Sequence, residues 1–185
     1  MFAVTRRLLL RPGWIEDAAV LAKTIADERI VRNLARAPWP YSLGDAQRFL
    51  KTPRDPRYPC FLIFDRTANP VQLIGAIGFD DESGAPELSY WIASDRWNRG
   101  FATEAVRAAI DNARISLGYR RIAAGHFIDN LAAGRVLEKL DFRKTGRSMR
   151  RHRLEQGYEA DWVAFELKCG NGLAHDAAMV PALAA

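Results

Sequence analysis

Between Tyr90 and Ala105 the sequence reads YWIASDRWNRGFATEA: an apolar strand, a charged turn, then small residues and a glycine opening a helix. A helix that starts directly after a strand leaves its first backbone N–H groups without partners, all pointing the same way. The helix dipole adds to them, so such a mouth suits a phosphate or diphosphate. Gly100 lets an anion approach the main chain, and Ala102 keeps the next approach open. Thr103 offers a hydroxyl and Arg99 a full positive charge. The local alternative is plainer: Ser94 or Asp95 caps the helix, and Gly100 only eases a tight turn.

The elements that must hold this turn follow from periodicity. Leu8, Leu9 and Leu10 predict a short first strand, and apolar residues at helical spacing from Trp14 to Leu34 predict one or two helices. APWPYS breaks them with Pro38 and Pro40, after which Ser42 caps a helix to about Lys51. YPCFLIFDR and VQLIGAIGFD predict a hairpin, with Gly75 and Gly78 marking a bulge or a close backbone approach. ELSYWIA is the strand before the turn. A helix follows from about Gly100 to Leu117, then a strand in GYRRIAAGHFID and a short helix in NLAAGRVLEKL. Asp141 to Lys168 reads as two strands joined near EQG. One domain over residues 1–168 is expected, with 169–185 a frayed tail.

Composition narrows the partners. The 185 residues carry a net charge of +5, which favours an anionic ligand. No motif for stacking or reading nucleic acid accompanies that charge, and RKTGRSMRRHR reads as an exposed strand with solvated arginines. Cys60 and Cys169 fit neither a disulfide framework nor a zinc spacing, and His126, His152 and His175 show no ligand spacing, so no metal is expected. The start shows no signal peptide and no apolar run is long enough for a bilayer, so a cytoplasmic protein without membrane association is expected.

No G-x-G-x-x-G or Walker lysine motif is present. Three pieces, RLLLRPGWIEDA, ELSYWIASDRWNRGFATEA and DNLAAGRVLEKLDFRKTG, resemble the GNAT acyltransferases, and within them the Rim-type branch that acetylates protein N-termini. The resemblance implies an α/β (α+β) fold: a mixed, twisted sheet of about seven strands flanked by about four helices, with two central parallel strands splayed apart. It implies acetyl-CoA as co-substrate, its pantetheine arm lying in the gap between residues 87–93 and 121–129. The family's turn pattern, Gln/Arg-x-x-Gly-x-Gly/Ala, falls on Trp97, Asn98, Arg99, Gly100, Phe101 and Ala102, with Thr103 following. Trp97 departs from it. Ile92 and Ala93 are expected to offer main-chain groups to the arm, and Asn130 its side-chain amide.

Acetyl transfer needs a neutral amine and a donor aimed at the oxygen that becomes negative, here a strand amide around Ile92. Glu87 is the candidate general base, directly or through water; the alternative is a solvated residue after a turn. The positions at which relatives carry an acid, a tyrosine or a serine, hold Leu137 and Ala133, and Asp141 replaces a glycine. A thiol with a pKa of about 8.5 can leave as the anion. The acceptor is then a protein or peptide N-terminus, or a small amine; a silent coenzyme-binding module is the other reading. A monomer or homodimer is expected.

Overall fold

The computed structural model describes residues 2–169 apart from 83, 155 and 156; the expected tail from 170 onward lies outside them. Eight strands form one sheet: β1 (Ala3–Val4), β2 (Leu8–Arg11), β3 (Cys60–Asp65), β4 (Gln72–Glu82), β5 (Ala85–Ile92), β6 (Arg121–Phe127), β7 (Arg143–Arg153) and β8 (Tyr158–Lys168). Their spatial order is β1-β2-β3-β4-β5-β6-β8-β7. All neighbours are antiparallel except β5 and β6. The count exceeds the expected seven because two-residue β1, too short to give a period, pairs with β2.

The helices are α1 (Ala18–Ile25), α2 (Glu28–Val31), α3 (Leu43–Lys51), α4 (Phe101–Asn112) and α5 (Leu131–Glu138). Ser42 caps α3 as its sequence predicts: its hydroxyl accepts from the Asp45 N–H, and Asp45 answers at the Ser42 N–H. α4 turns Phe101, Ala105, Val106, Ala109 and Ile110 inward, over a core with Leu8, Leu10, Ile77, Phe79, Leu88 and Ile122. Its last turn, Ala113–Leu117, widens to π geometry and stops at Gly118 in the left-handed region. α1 and α3 cover the opposite face through Leu21, Ala46, Leu62 and Phe64. The sheet is thus a two-faced layer, and the β5–β6 junction lies between the two cores.

Gly75 proves to be a close approach. A Cβ there would sit 2.2 Å from the Trp91 carbonyl oxygen, and the β3–β4 register shifts one step away, between Ile63 and Phe64. Gly75→Ala is expected to destabilise the fold by about 2–3 kcal/mol, seen as a lower urea midpoint with unchanged m value.

The arginine-rich strand departs from its expected role. Arg143, Arg147 and Arg150 are exposed, but Arg153 is 3% exposed and pairs with Asp129, while Arg151 turns inward to Glu87. Period-two alternation along β7 sends these last two to the covered face, which composition alone does not reveal.

Candidate active site

β5 and β6 run parallel but pair only at Glu87–Ala123 and Leu88–Ala124. Beyond those residues, both strands continue without pairing, β5 to Ile92 and β6 to Phe127, so a seam opens between them. What faces the seam follows from parity. The β4–β5 register is unbroken from Glu82–Ala85 to Gly75–Ile92, and the Ala93 N–H donates to Ile74 O at 2.8 Å. Odd residues of β5 therefore direct their main-chain groups at β4, and Tyr90 and Ile92 direct theirs at the seam. The Ile92 carbonyl accepts from the Trp97 indole N–H at 2.7 Å, and its own N–H points into the seam. Ala93 is placed differently from expectation. Its N–H is taken by Ile74 and its carbonyl accepts from the Arg96 N–H, so it builds the turn instead of facing the gap.

The turn runs through a 3-10 segment, Ser94–Arg96, to Gly100, which precedes α4 with φ 75°. Neither Ser94 nor Asp95 caps the helix, and no side chain accepts from its first turn. Asn98 is also left-handed, at φ 59°, a conformation asparagine tolerates better than most residues. Two left-handed residues around Arg99 curl the main chain, the kind of bend that brings successive N–H groups into one concavity. Trp97, Asn98, Arg99 and Gly100 are exposed; Phe101 is buried, and Ala102 and Thr103 are half-buried.

Two ion-pair clusters brace this corner, and neither was evident in the sequence. Asp27, before α2, accepts from the Ser94 hydroxyl at 2.6 Å and from Arg29 at 2.7 Å. Hydrogen bonding to Arg29 holds the Asp27 carboxyl well below its usual range. On the other side, Glu104 of α4 accepts from the Thr5 hydroxyl and from the Arg7 N–H and guanidinium. Burial pushes the Glu104 carboxyl up, but these donors outweigh it and the net shift is downward. Only spacing within one element could have signalled such contacts; Asp27–Arg29 is local, but the contacts to Ser94 and to Glu104 join residues far apart in sequence.

Against the β5 end of the seam lies a cavity of about 440 Å³. Tyr41, Phe49, Trp91, His126 and Trp162 line it, with Ala35–Pro38 on one side and Arg151 on another. The stretch after α2 and the β7–β8 hairpin therefore both reach it; Leu154 N–H donates to Ala35 O where they meet. Glu87 is at its wall, 7% exposed, so it is no solvated turn residue. Arg151 grips both its oxygens at 2.7 Å and stacks over Trp162 at 4.5 Å. Glu87 stands beside Asp80 across the β4–β5 pair, and Asp80 has its own arginine, Arg36, at 3.5 Å. Two carboxylates facing each other in a sheet repel, and the two guanidiniums offset that.

Asn130 caps α5, its side-chain oxygen accepting from the Ala133 N–H at 3.3 Å, and it lines the same cavity. Leu137 is fully buried in the core, so its position offers no acid. The Tyr90 hydroxyl donates to Ala133 O at 3.4 Å, and burial pushes its pKa above the ordinary phenol value. Among the described residues no group of three or more His, Cys, Asp or Glu is arranged to hold a metal ion, and no helix is long and apolar enough to cross a membrane.

Comparison with known proteins agrees with this layout. The family model described as an acetyltransferase (GNAT) domain matches residues 7–143. The chain is 30% identical over 153 residues to an uncharacterized N-acetyltransferase p20 of Bacillus licheniformis, covering 77% of this chain and 82% of that protein. A GNAT-family acetyltransferase of Bacillus anthracis superposes with a TM-score of 0.77 at 20% identity, over 91% of this chain and 98% of that one. RimL, a ribosomal L7/L12 α-N-protein acetyltransferase solved with coenzyme A, superposes with a TM-score of 0.75 at 16% identity, over 93% of this chain and 100% of that one.

Proposed function

Because this chain belongs to the GNAT acetyltransferase family, we propose that it transfers an acetyl group from acetyl-CoA to the α-amine of a protein or peptide N-terminus. The observation that carries the reading is the parallel pair that stops pairing after Leu88, with Ile92 facing the gap and an uncapped helix mouth at its end. A diphosphate fits that mouth by chemistry: among the described residues no side chain caps the start of α4, two left-handed residues shape the bend, and Arg99 stands beside it. Acetyl-CoA, when bound, supplies the thioester carbon that an amine attacks.

The protein's own part is positioning and charge. The Ile92 N–H is the donor for the acyl oxygen, held in place because Trp97 fixes the carbonyl of the same residue. Trp97 thus supplies an indole clamp where the family pattern has glutamine or arginine. Glu87 accepts the proton of the amine. Both its oxygens bind Arg151, but a carboxylate oxygen has two acceptor positions, so one on each stays available to a water in the cavity. Asn130 marks the far wall. The Tyr90 hydroxyl donates to Ala133 O, and the thiol, with a free pKa of about 8.5, leaves as the anion.

Proton energetics favour the α-amine. With a pKa of about 8 it is about one-tenth neutral at pH 7, a cost of about 1.4 kcal/mol; a lysine near 10.4 costs about 4.6 kcal/mol. One carboxylate, held by an arginine, gives little help in overcoming the larger cost. Thiol release measured over a panel of peptides and small amines tests this directly. Peptides with free N-termini are expected to turn over, and N-terminally blocked peptides containing lysine to react at least about 100-fold more slowly. For the active peptides kcat/KM is expected to rise about tenfold per pH unit up to about pH 8 and then level. Preference for small amines over every peptide would move the protein to the small-molecule reading, and turnover of none would leave a binding module.

A further inference from the structure

We infer that Arg7, in the bend between β1 and β2, is a positioning residue that aims the main chain at the mouth of α4 toward the coenzyme diphosphate. The inference rests on the reading of that mouth given above.

Two nitrogens of the guanidinium and the main-chain N–H of Arg7 have partners at this corner. Nε donates to Glu104 Oε2 at 2.6 Å, the Arg7 N–H donates to Oε1 at 3.0 Å, and Nη1 donates to the Arg99 carbonyl at 2.9 Å. The guanidinium carbon lies 4.4 Å from the centre of the Phe101 ring, and Nη2 is 3.5 Å from where a Cβ on Gly100 would be. The cation is therefore held by a carboxylate, a carbonyl and a ring face against one turn.

Its grip on the Arg99 carbonyl has a directional consequence. A peptide unit is planar and trans, so its C=O and N–H point in opposite directions. Arg7 draws the Arg99 carbonyl toward β1 and β2, and the Gly100 N–H of the same peptide must point away from them, out of the turn. Gly100, at φ 75°, has the freedom to rotate this plane either way, so something must choose. The neighbouring plane is set independently, because Gly100 O accepts from the Glu104 N–H at 3.1 Å. Glu104 thus fixes the helix start and, through Arg7, the peptide before it. Thr5 completes the clamp at 2.5 Å from the same carboxylate.

Two variants and two donors test this. Arg7→Ala removes the clamp. Arg7→Lys keeps a cation for Glu104 but has a single nitrogen where the guanidinium reaches Glu104 through Nε and the Arg99 carbonyl through Nη1. By isothermal titration with coenzyme A, Arg7→Lys is expected to lose about tenfold in affinity, and Arg7→Ala more, with a melting temperature for the lysine variant within a few degrees of wild type. In turnover, KM for acetyl-CoA rises by a similar factor while kcat changes less than about twofold. With S-acetylpantetheine, which has the thioester and no diphosphate, kcat/KM of Arg7→Lys stays at the wild-type value. A folded Arg7→Lys protein that binds coenzyme A as wild type does, or that loses equally with both donors, overturns the inference. If the alanine variant fails to fold, the lysine variant decides. Failure of the underlying reading looks different: the wild-type protein itself would use S-acetylpantetheine as well as acetyl-CoA.

Discussion

A Gly100→Glu protein is expected to fold and to bind acetyl-CoA about a thousandfold more weakly than wild type, measured by isothermal titration. Strain and charge act separately at this position. Gly100 sits at φ 75°, where any side chain costs about 1–2 kcal/mol, but among the described residues, chain neighbours aside, an added Cβ meets only Arg7 Nη2 at 3.5 Å, an ordinary contact. The position is exposed, so the fold absorbs the cost. The carboxylate then occupies the approach to the helix mouth. At about 4 Å from a phosphate charge, with an effective dielectric near 20, it opposes binding by about 4 kcal/mol. It also competes with Glu104 for Arg7. Gly100→Ala isolates the strain: affinity is expected to fall less than about tenfold. Equal affinity in the glutamate variant and wild type would remove the diphosphate from this corner.

That corner was legible in the sequence because its chemistry is local. A strand, a turn with Arg99 and Gly100, and a helix with small residues in its first turn lie within sixteen consecutive positions, and periodicity marks each. The reading of the helix start within one residue, and of α3 with its cap at Ser42, succeeded for the same reason: capping and the 3.6-residue period act over three to seven positions. What the sequence hid is carried by contacts between distant elements. Arg7 and Glu104 are 97 positions apart, and TRRLLL reads only as the lead of a strand. Arg151 is 64 positions from Glu87 and sits in a run whose composition suggests solvent. Which arginines of that run turn inward depends on the register of β7 against β8, and that register shifts between Lys144 and Ser148, so counting outward from the exposed end misassigns them.

The Ala93 placement shows a subtler limit. Neighbouring residues of a strand send their main-chain groups to opposite sides, so Ile92 and Ala93 cannot both face the seam. Which one does is set by pairing with β4, through the Ala93–Ile74 bond. That single bond decides which amide is available for the acyl oxygen, and it makes the Ile92 N–H and the Glu87 carboxylate parts of one arrangement: the amide faces the gap, while Glu87, an odd residue of the same strand, puts its side chain on the cavity wall with Trp91. On the function proposed above, the strand would serve coenzyme and acceptor from one backbone.

Glu87→Gln is expected to lower kcat for a peptide acceptor by about 100-fold or more while leaving the affinity for acetyl-CoA within about twofold. Glutamine keeps the size of the side chain and one acceptor oxygen for Arg151, so the cavity wall stays in place. It removes the group able to take a proton from the amine or from an intervening water. Loss of the charge also leaves the Arg151 guanidinium, 17% exposed, opposite a neutral amide, and a stability loss of about 1–3 kcal/mol accompanies the kinetic effect. The two consequences are separated by Arg151→Met. If Glu87 matters only as an anchor for the arginine, that variant should slow turnover as much as Glu87→Gln does. As the proton acceptor, Glu87 instead retains its function when Arg151 is gone, and kcat of Arg151→Met falls less than about tenfold even though its stability drops further, because it leaves a carboxylate buried without its partner.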